Sequence, residues 1–124
     1  MQTPYTFARS THGELFAETV IPMGADRREL RIDTRKGFRG LRTSATVVQV
    51  SEDGRSHTHA MGLGSRMTGD YSERIEECDR SVRATEKTIR AMHERARLQA
   101  DAILARARDW YAVQAARRAE TAPA

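Results

Sequence analysis

Residues 41–61 read LRTSATVVQVSEDGRSHTHAM, in which a run of threonines and valines ends near the dipeptide Asp53-Gly54. β-Branched residues favour strands, and Asp-Gly between two strand-like runs is a strong signal for a two-residue hairpin turn. The stretch therefore predicts two antiparallel strands, over residues 41–51 and 55–61.

The residues before this hairpin continue the strand pattern towards the N-terminus. Within residues 28–34, Leu30 and Ile32 alternate with charged residues, as expected of a strand with one buried face. Glycine and proline recur through the region and mark turns between short segments. Region 1–61 should therefore form a small antiparallel sheet of four to five strands. The remaining strands are predicted over residues 4–9 and 14–21.

The pattern changes at residues 62–69, a glycine-containing segment that we interpret as a linker. Beyond it glycine is absent, and proline does not recur until the C-terminal tail, residues 119–124. Asp70 and Glu73 have the spacing of a capping box, in which two side chains satisfy exposed backbone N–H groups at a helix start. We therefore predict one long helix over residues 70–118 and a single α+β domain.

Apolar residues recur every seven positions along this predicted helix. A helix over residues 70–118 would span about 70 Å, whereas a strand of eight residues covers about 27 Å. The sheet cannot cover such a helix, so its coiled-coil-like stripe favours self-association, with a dimer preferred. The alternative is an ordinary amphipathic helix buried within one chain. The predicted oligomer interface consists of Ile75, Val82, Ile89, Met92, Ile103 and Trp110.

Charge and composition restrict the partners only loosely. The chain of 124 residues carries 21 basic and 17 acidic side chains, a net charge of +4. The charge is spread evenly along the chain, so a nucleic-acid partner is permitted but not required. The single cysteine, Cys78, excludes an intramolecular disulfide, and no apolar run approaches the ~20 residues of a membrane span. We expect a cytoplasmic protein without a membrane partner.

The most basic stretch, residues 35–42, reads RKGFRGLR and surrounds one phenylalanine with four cations. Its two glycines predict a turn, its cations can neutralise phosphate, and its aromatic ring can stack on a base. An acidic protein surface would be attracted to the same loop. The alternative is a solvated hairpin loop whose phenylalanine folds back onto the sheet. The predicted contact residues are Arg35, Lys36, Phe38, Arg39 and Arg42.

His57 and His59 are weak candidates for a metal site. The predicted two-residue turn would place them opposite Val50 and Val48, on one face of the sheet, at a spacing that can chelate a metal. No clear third ligand accompanies them, so we favour a role at the edge of the core and predict no bound metal. No nucleophile–base pair and no dinucleotide motif is apparent, so we expect neither a cofactor nor an enzyme.

The leading hypothesis is a non-enzymatic, regulatory protein of the inhibitor type that binds another protein with an acidic surface. The long helix would mediate self-association, and the sheet with its basic loop would contact the partner. The alternative is a protein that binds nucleic acid or a phosphate ligand through residues 35–42. A further alternative, by association alone, is a phage or mobile-element inhibitor of a host defence complex.

Overall fold

The computed structural model describes residues 4–24, 27–50, 56–57 and 71–121. The elements are β1 (Thr6–Arg9), β2 (Leu15–Pro22), β3 (Arg28–Gly37), β4 (Gly40–Val50), β5 (Ser56–His57), β6 (Ser72–Glu77), α1 (Glu86–Arg97) and α2 (Ala100–Thr121). The predicted α+β class, an antiparallel sheet followed by C-terminal helix, is confirmed. Because β5 and β6 both pair with β4 on the side away from β3, the sheet is five strands wide.

The strands follow one another across the sheet in chain order from β1 to β4. The far edge of β4 is shared, because β5 pairs with Gln49 and Val50 while β6 pairs with residues 42–46. The predicted β4–β5 hairpin therefore exists, but His57 lies opposite Gln49 instead of Val50. The predicted register of this hairpin was therefore wrong by one residue.

Residues 72–77, predicted as the first turns of the long helix, are instead the strand β6. The β6 backbone pairs with the edge of β4, whose N–H and C=O groups need partners, and this tertiary pairing overrides the local helix pattern. The pairing skips Ile75, which forms a β-bulge and packs in the core. The next residue, Glu76, accepts two hydrogen bonds of 2.7 and 3.0 Å from Arg95 of α1.

The first helix, α1, begins fifteen residues or so later than predicted, at a different cap. The Thr85 hydroxyl accepts the Thr88 backbone N–H at 3.2 Å, and the Thr88 hydroxyl accepts the Thr85 N–H at 2.9 Å. This reciprocal pair satisfies backbone groups that a helix start leaves without partners. The capping box predicted at Asp70 and Glu73 was wrong, because Glu73 belongs to β6; Asp70 lies outside the described residues.

The helical region is also broken, between Arg97 and Ala100, so the single continuous helix was wrong at a second place. Leu98 stands at the break and is 73% exposed, so no core contact is lost there. The buried stripe continues across the break in steps of one, three or four residues, as on one helix face. Its members are Ile89, Met92, His93, Ala96, Ala100, Ile103 and Ala107.

Three of the six residues of the predicted intermolecular seam are covered within the chain. Met92 packs with Leu41 of β4, and Ile103 packs with Leu30 of β3. Ile89, Met92 and Ile103 are fully buried by these contacts, so the chain's own sheet takes the place that the sequence assigned to a second copy. Neither of the described helices combines the length and apolarity needed to cross a membrane.

One polar network lies in the middle of this core. His93 is fully buried, with Nε2 2.7 Å from the Thr19 hydroxyl and Nδ1 2.8 Å from the Thr34 hydroxyl. Thr34 shares a further hydrogen bond of 2.7 Å with Thr43. A neutral imidazole has one donor and one acceptor, and a hydroxyl can take either part, so both ring nitrogens are satisfied. Burial disfavours the charged ring and lowers the pKa of His93 to about 4.

We expect mild acid to destabilise the fold through His93. Its pKa is about 4 in the folded chain and about 6.5 in an unfolded chain. Between these values the unfolded state binds more protons, so the free energy of unfolding falls as the pH falls. The loss should approach ~1.4 kcal/mol per pH unit and about 3 kcal/mol in total. Urea unfolding between about pH 7 and about pH 5 measures the slope above the range where carboxylates titrate.

The variant His93→Gln keeps a donor and an acceptor for the threonine hydroxyls but does not titrate. Its stability should therefore vary little with pH over this range. The exposed His12 gives a matched control, because His12→Gln should keep the slope of the parent protein. A slope that persists in His93→Gln would contradict the prediction.

Candidate functional site

The β3–β4 hairpin ends in a two-residue turn that exposes an aromatic side chain. Gly37 and Gly40 form the last pair of the two strands, which leaves Phe38 and Arg39 as the turn. Phe38 is 89% exposed, so its ring does not fold back onto the sheet. The ring therefore contributes nothing to core packing and is accessible to a ligand or partner.

Gly40 is where a second segment of the chain meets this turn. Its φ is +134°, which L side chains rarely adopt, and a Cβ built there would overlap the carbonyl oxygen of Cys78. The Cys78 N–H donates to the Leu41 carbonyl oxygen at 2.8 Å, which fixes the close approach. The absence of a side chain at Gly40 therefore allows the chain leaving β6 to lie directly against the hairpin end.

The segment that follows, residues 79–85, forms a wall beside the turn. The Arg80 Nη2 donates to the Phe38 carbonyl oxygen at 3.3 Å. The Arg80 guanidinium carbon lies 5.5 Å from the centroid of the Phe38 ring, within cation–π range. The Asp79 carboxylate accepts the Ser81 N–H at 2.9 Å, and this bond lowers the pKa of Asp79 below its ordinary value. The two contacts of Arg80 attach the segment to the turn, and the Asp79 bond fixes the local shape of the segment.

Two open grooves flank Phe38, which lines both. The larger, of about 570 Å³, includes Leu41 and lies on the helix side of the sheet between the turn and residues 79–85. The smaller, of about 290 Å³, includes the next residue, Arg42, and so lies on the opposite side. We call the cations of both grooves and the phenylalanine the tip surface. It consists of Lys36, Phe38, Arg39, Arg42, Arg74, Arg80 and Arg83.

Most cations of the tip surface have no counter-charge within the described part of the chain. Lys36, Arg39, Arg42 and Arg83 form no ion pair with another described residue, whereas Arg74 lies 2.9 Å from Glu77. Along the helices most arginines are paired with glutamates. These are Arg90, Arg95, Arg97 and Arg106. The hairpin end therefore carries positive charge that the described fold does not neutralise.

Arg35 is the predicted contact residue that does not belong to the tip surface. Its guanidinium donates to Asp33 at 2.6 and 3.0 Å, and these bonds raise the pKa of Arg35. The same group lies 5.1 Å from the ring centroid of Phe16, its neighbour across β2 and β3. Arg35 is thus already occupied on the sheet surface, because an acidic residue two positions away on the same strand shares its face.

Arg74, Arg80 and Arg83 join the surface although sequence reasoning did not select them. The sequence placed all three on one long helix, where they would lie far from the hairpin. They reach it because residues 72–77 form β6 and residues 79–85 then cross the end of β4. The local sequence does not indicate this crossing, because Gly40 is equally expected at the end of a simple hairpin turn.

The remaining predicted site residues are dispersed. Val82, 37% exposed, lines the larger groove, and Ile75 packs in the core. The Trp110 ring lies 6.0 Å from the Tyr71 ring and 4.9 Å from the Tyr111 ring. Of the two candidate metal ligands, His59 lies outside the described residues, and His57 is described by its backbone alone. The described residues contain no group of three potential metal ligands.

Comparisons of the chain with protein families, with curated proteins and with solved structures give no match.

We expect Gly40→Ala to destabilise the protein and to separate the two segments of the tip surface. The substitution combines an unfavourable φ with overlap on the backbone of Cys78, so the loss should exceed about 2 kcal/mol. Gly13 is the matched control, because its φ is +83° but nothing lies within 4 Å of a built Cβ. Gly13→Ala should therefore cost only about 1 kcal/mol. Urea unfolding measures both, and equal losses would show that the close approach is unimportant.

Proposed function

We propose that the protein is a non-enzymatic binding protein that holds a nucleic acid through the tip surface. The proposal rests on the cations that surround the exposed Phe38 and form no ion pair with another described residue. Cations attract phosphates whatever the base sequence, and an exposed ring offers a base a surface for stacking. At the hairpin end the cations can thus bind the phosphates of a nucleic acid, and the Phe38 ring can stack on a base.

An acidic protein surface is the second candidate partner, since the same cations would attract it. The centre of a protein interface is usually a buried apolar patch with a polar rim. The tip surface offers little of this kind, because Phe38 and the neighbouring Val82 are its exposed large apolar side chains. This composition favours nucleic acid. Either partner is compatible with a regulatory, inhibitor-type role in the cytoplasm, as the sequence predicts.

Self-association stays a prediction, now without the helical seam that suggested it. The part of α2 beyond Tyr111 is largely exposed and includes Val113, at 41%. It is the stretch of described helix that a second copy could still cover. Light scattering measures the solution mass: a dimer would support this part of the proposal, and a monomer at high concentration would remove it.

We expect binding to depend strongly on salt. Four cations of the tip surface form no ion pair within the described residues. If each neutralises one phosphate, a plot of log affinity against log salt concentration should have a slope of about −3 for a single strand. Anisotropy of a fluorescent oligonucleotide, titrated with protein at several salt concentrations, measures this slope. An affinity that does not change with salt would contradict the proposal.

The double variant Lys36→Glu/Arg39→Glu tests whether the tip surface is the contact. It should weaken binding by at least about tenfold and flatten the salt dependence. The control is Arg9→Glu/Arg108→Glu, which changes the net charge equally at exposed positions outside the tip surface. Equal losses in the two proteins would exclude the tip surface. Binding to an acidic polypeptide but to no oligonucleotide would assign the surface to a protein partner.

A further inference from the structure

We infer that the tip surface takes a single strand of nucleic acid, with one base stacked on Phe38 and the adjoining phosphates in the two grooves. The inference rests on the proposed function and specifies the form of nucleic acid that the surface accepts. It follows from the placement of the cations, the thinness of the hairpin and the exposure of the ring.

The cations lie on both faces of one hairpin. Lys36 and Arg83 line the groove on the helix side, and Arg39 and Arg42 line the groove on the other side. Phe38 stands between the two grooves and lines both. A single layer of sheet, with its side chains, is about 10 Å thick. A ligand that reaches both sets of cations must therefore bend sharply over the turn.

A duplex does not meet this requirement. Double-stranded DNA stays straight over about 50 nm, so it cannot fold around the end of a single hairpin without a large bending cost. A duplex lying on one face would reach the cations of one groove only. Its bases are also stacked on one another, whereas the bases of a single strand can turn outwards and stack on an aromatic side chain. A flexible single strand can contact the cations of both grooves and the Phe38 ring.

The backbone of Phe38 is held in position before any ligand arrives. The pairing of Gly37 with Gly40 closes the turn, and Arg80 donates to the Phe38 carbonyl oxygen at 3.3 Å. A turn whose backbone is already fixed loses little conformational freedom when a base stacks on the ring that it carries. The Arg80 guanidinium, 5.5 Å from the ring centroid, can also donate to a phosphate of the stacked nucleotide. Every base has a π-face, so we expect binding to tolerate changes of base sequence.

The test compares a labelled oligodeoxythymidine with a labelled duplex of the same length, at one salt concentration. We expect the single strand to bind at least about tenfold more tightly, as one stacked base allows. Phe38→Ala should weaken single-strand binding by about tenfold or more and leave duplex binding and the salt slope unchanged, because the cations remain. Phe38→Trp, which restores an aromatic face, should bind the single strand as the parent protein does.

Leu98→Ala is the matched control, because it removes another highly exposed apolar side chain at a place away from the tip surface. Equal affinity for the two forms of DNA, or equal effects of Phe38→Ala and Leu98→Ala, would overturn this inference while leaving salt-dependent binding, and so the proposed function, intact. Failure of the parent protein to bind either form at low salt would overturn the proposed function itself. Circular dichroism establishes that each variant is folded.

Discussion

The backbone pairing of β6 with β4 brings the segment that follows β6 to the end of the β3–β4 hairpin. This pairing continues to the hydrogen bond of 2.8 Å from the Cys78 N–H to the Leu41 carbonyl oxygen, and it delivers residues 79–85 to the hairpin end. Along the same strand Glu73 and Glu76 each form an ion pair of 2.7 Å with an arginine of the helices. The assembly of the tip surface thus depends on one strand of six residues, which also adds ion pairs to the apolar contacts between the helices and the sheet.

The elements predicted from the sequence are those whose residue pattern is local, such as the strands β3 and β4. The alternation at Leu30 and Ile32 and the valine-rich run of β4 identify strands because their buried face repeats every two residues. The strand β6 was not predicted, because tertiary contact determines its pairing with β4 and a bulge at Ile75 interrupts that pairing. The heptad spacing identifies Ile89, Met92 and Ile103 as residues of the buried helix face, but periodicity does not distinguish a sheet in the same chain from a second helix.

About half of the candidate site follows from the sequence for the same reason. Lys36, Phe38, Arg39 and Arg42 are neighbours along the chain, so a basic turn is visible without any fold. The contributions from residues 74–83 depend on a crossing of distant segments, which composition and spacing do not encode. The burial of His93 could not be predicted either, because the residues around it on α1 give no information about the three threonines of the network, which lie on three different strands.

The hydrogen bond between Thr19 and His93 joins residues 74 positions apart, and this separation has a consequence during synthesis. A nascent chain that has reached the end of β4 presents a sheet face with no helix to cover it, since Met92 and Ile103 have not yet been made. Long-range contacts of this kind slow folding, and an uncovered apolar face with strand edges is prone to aggregate. We expect the sheet to fold stably only after the residues of α1 and α2 have been made, and the emerging chain to interact with chaperones until then.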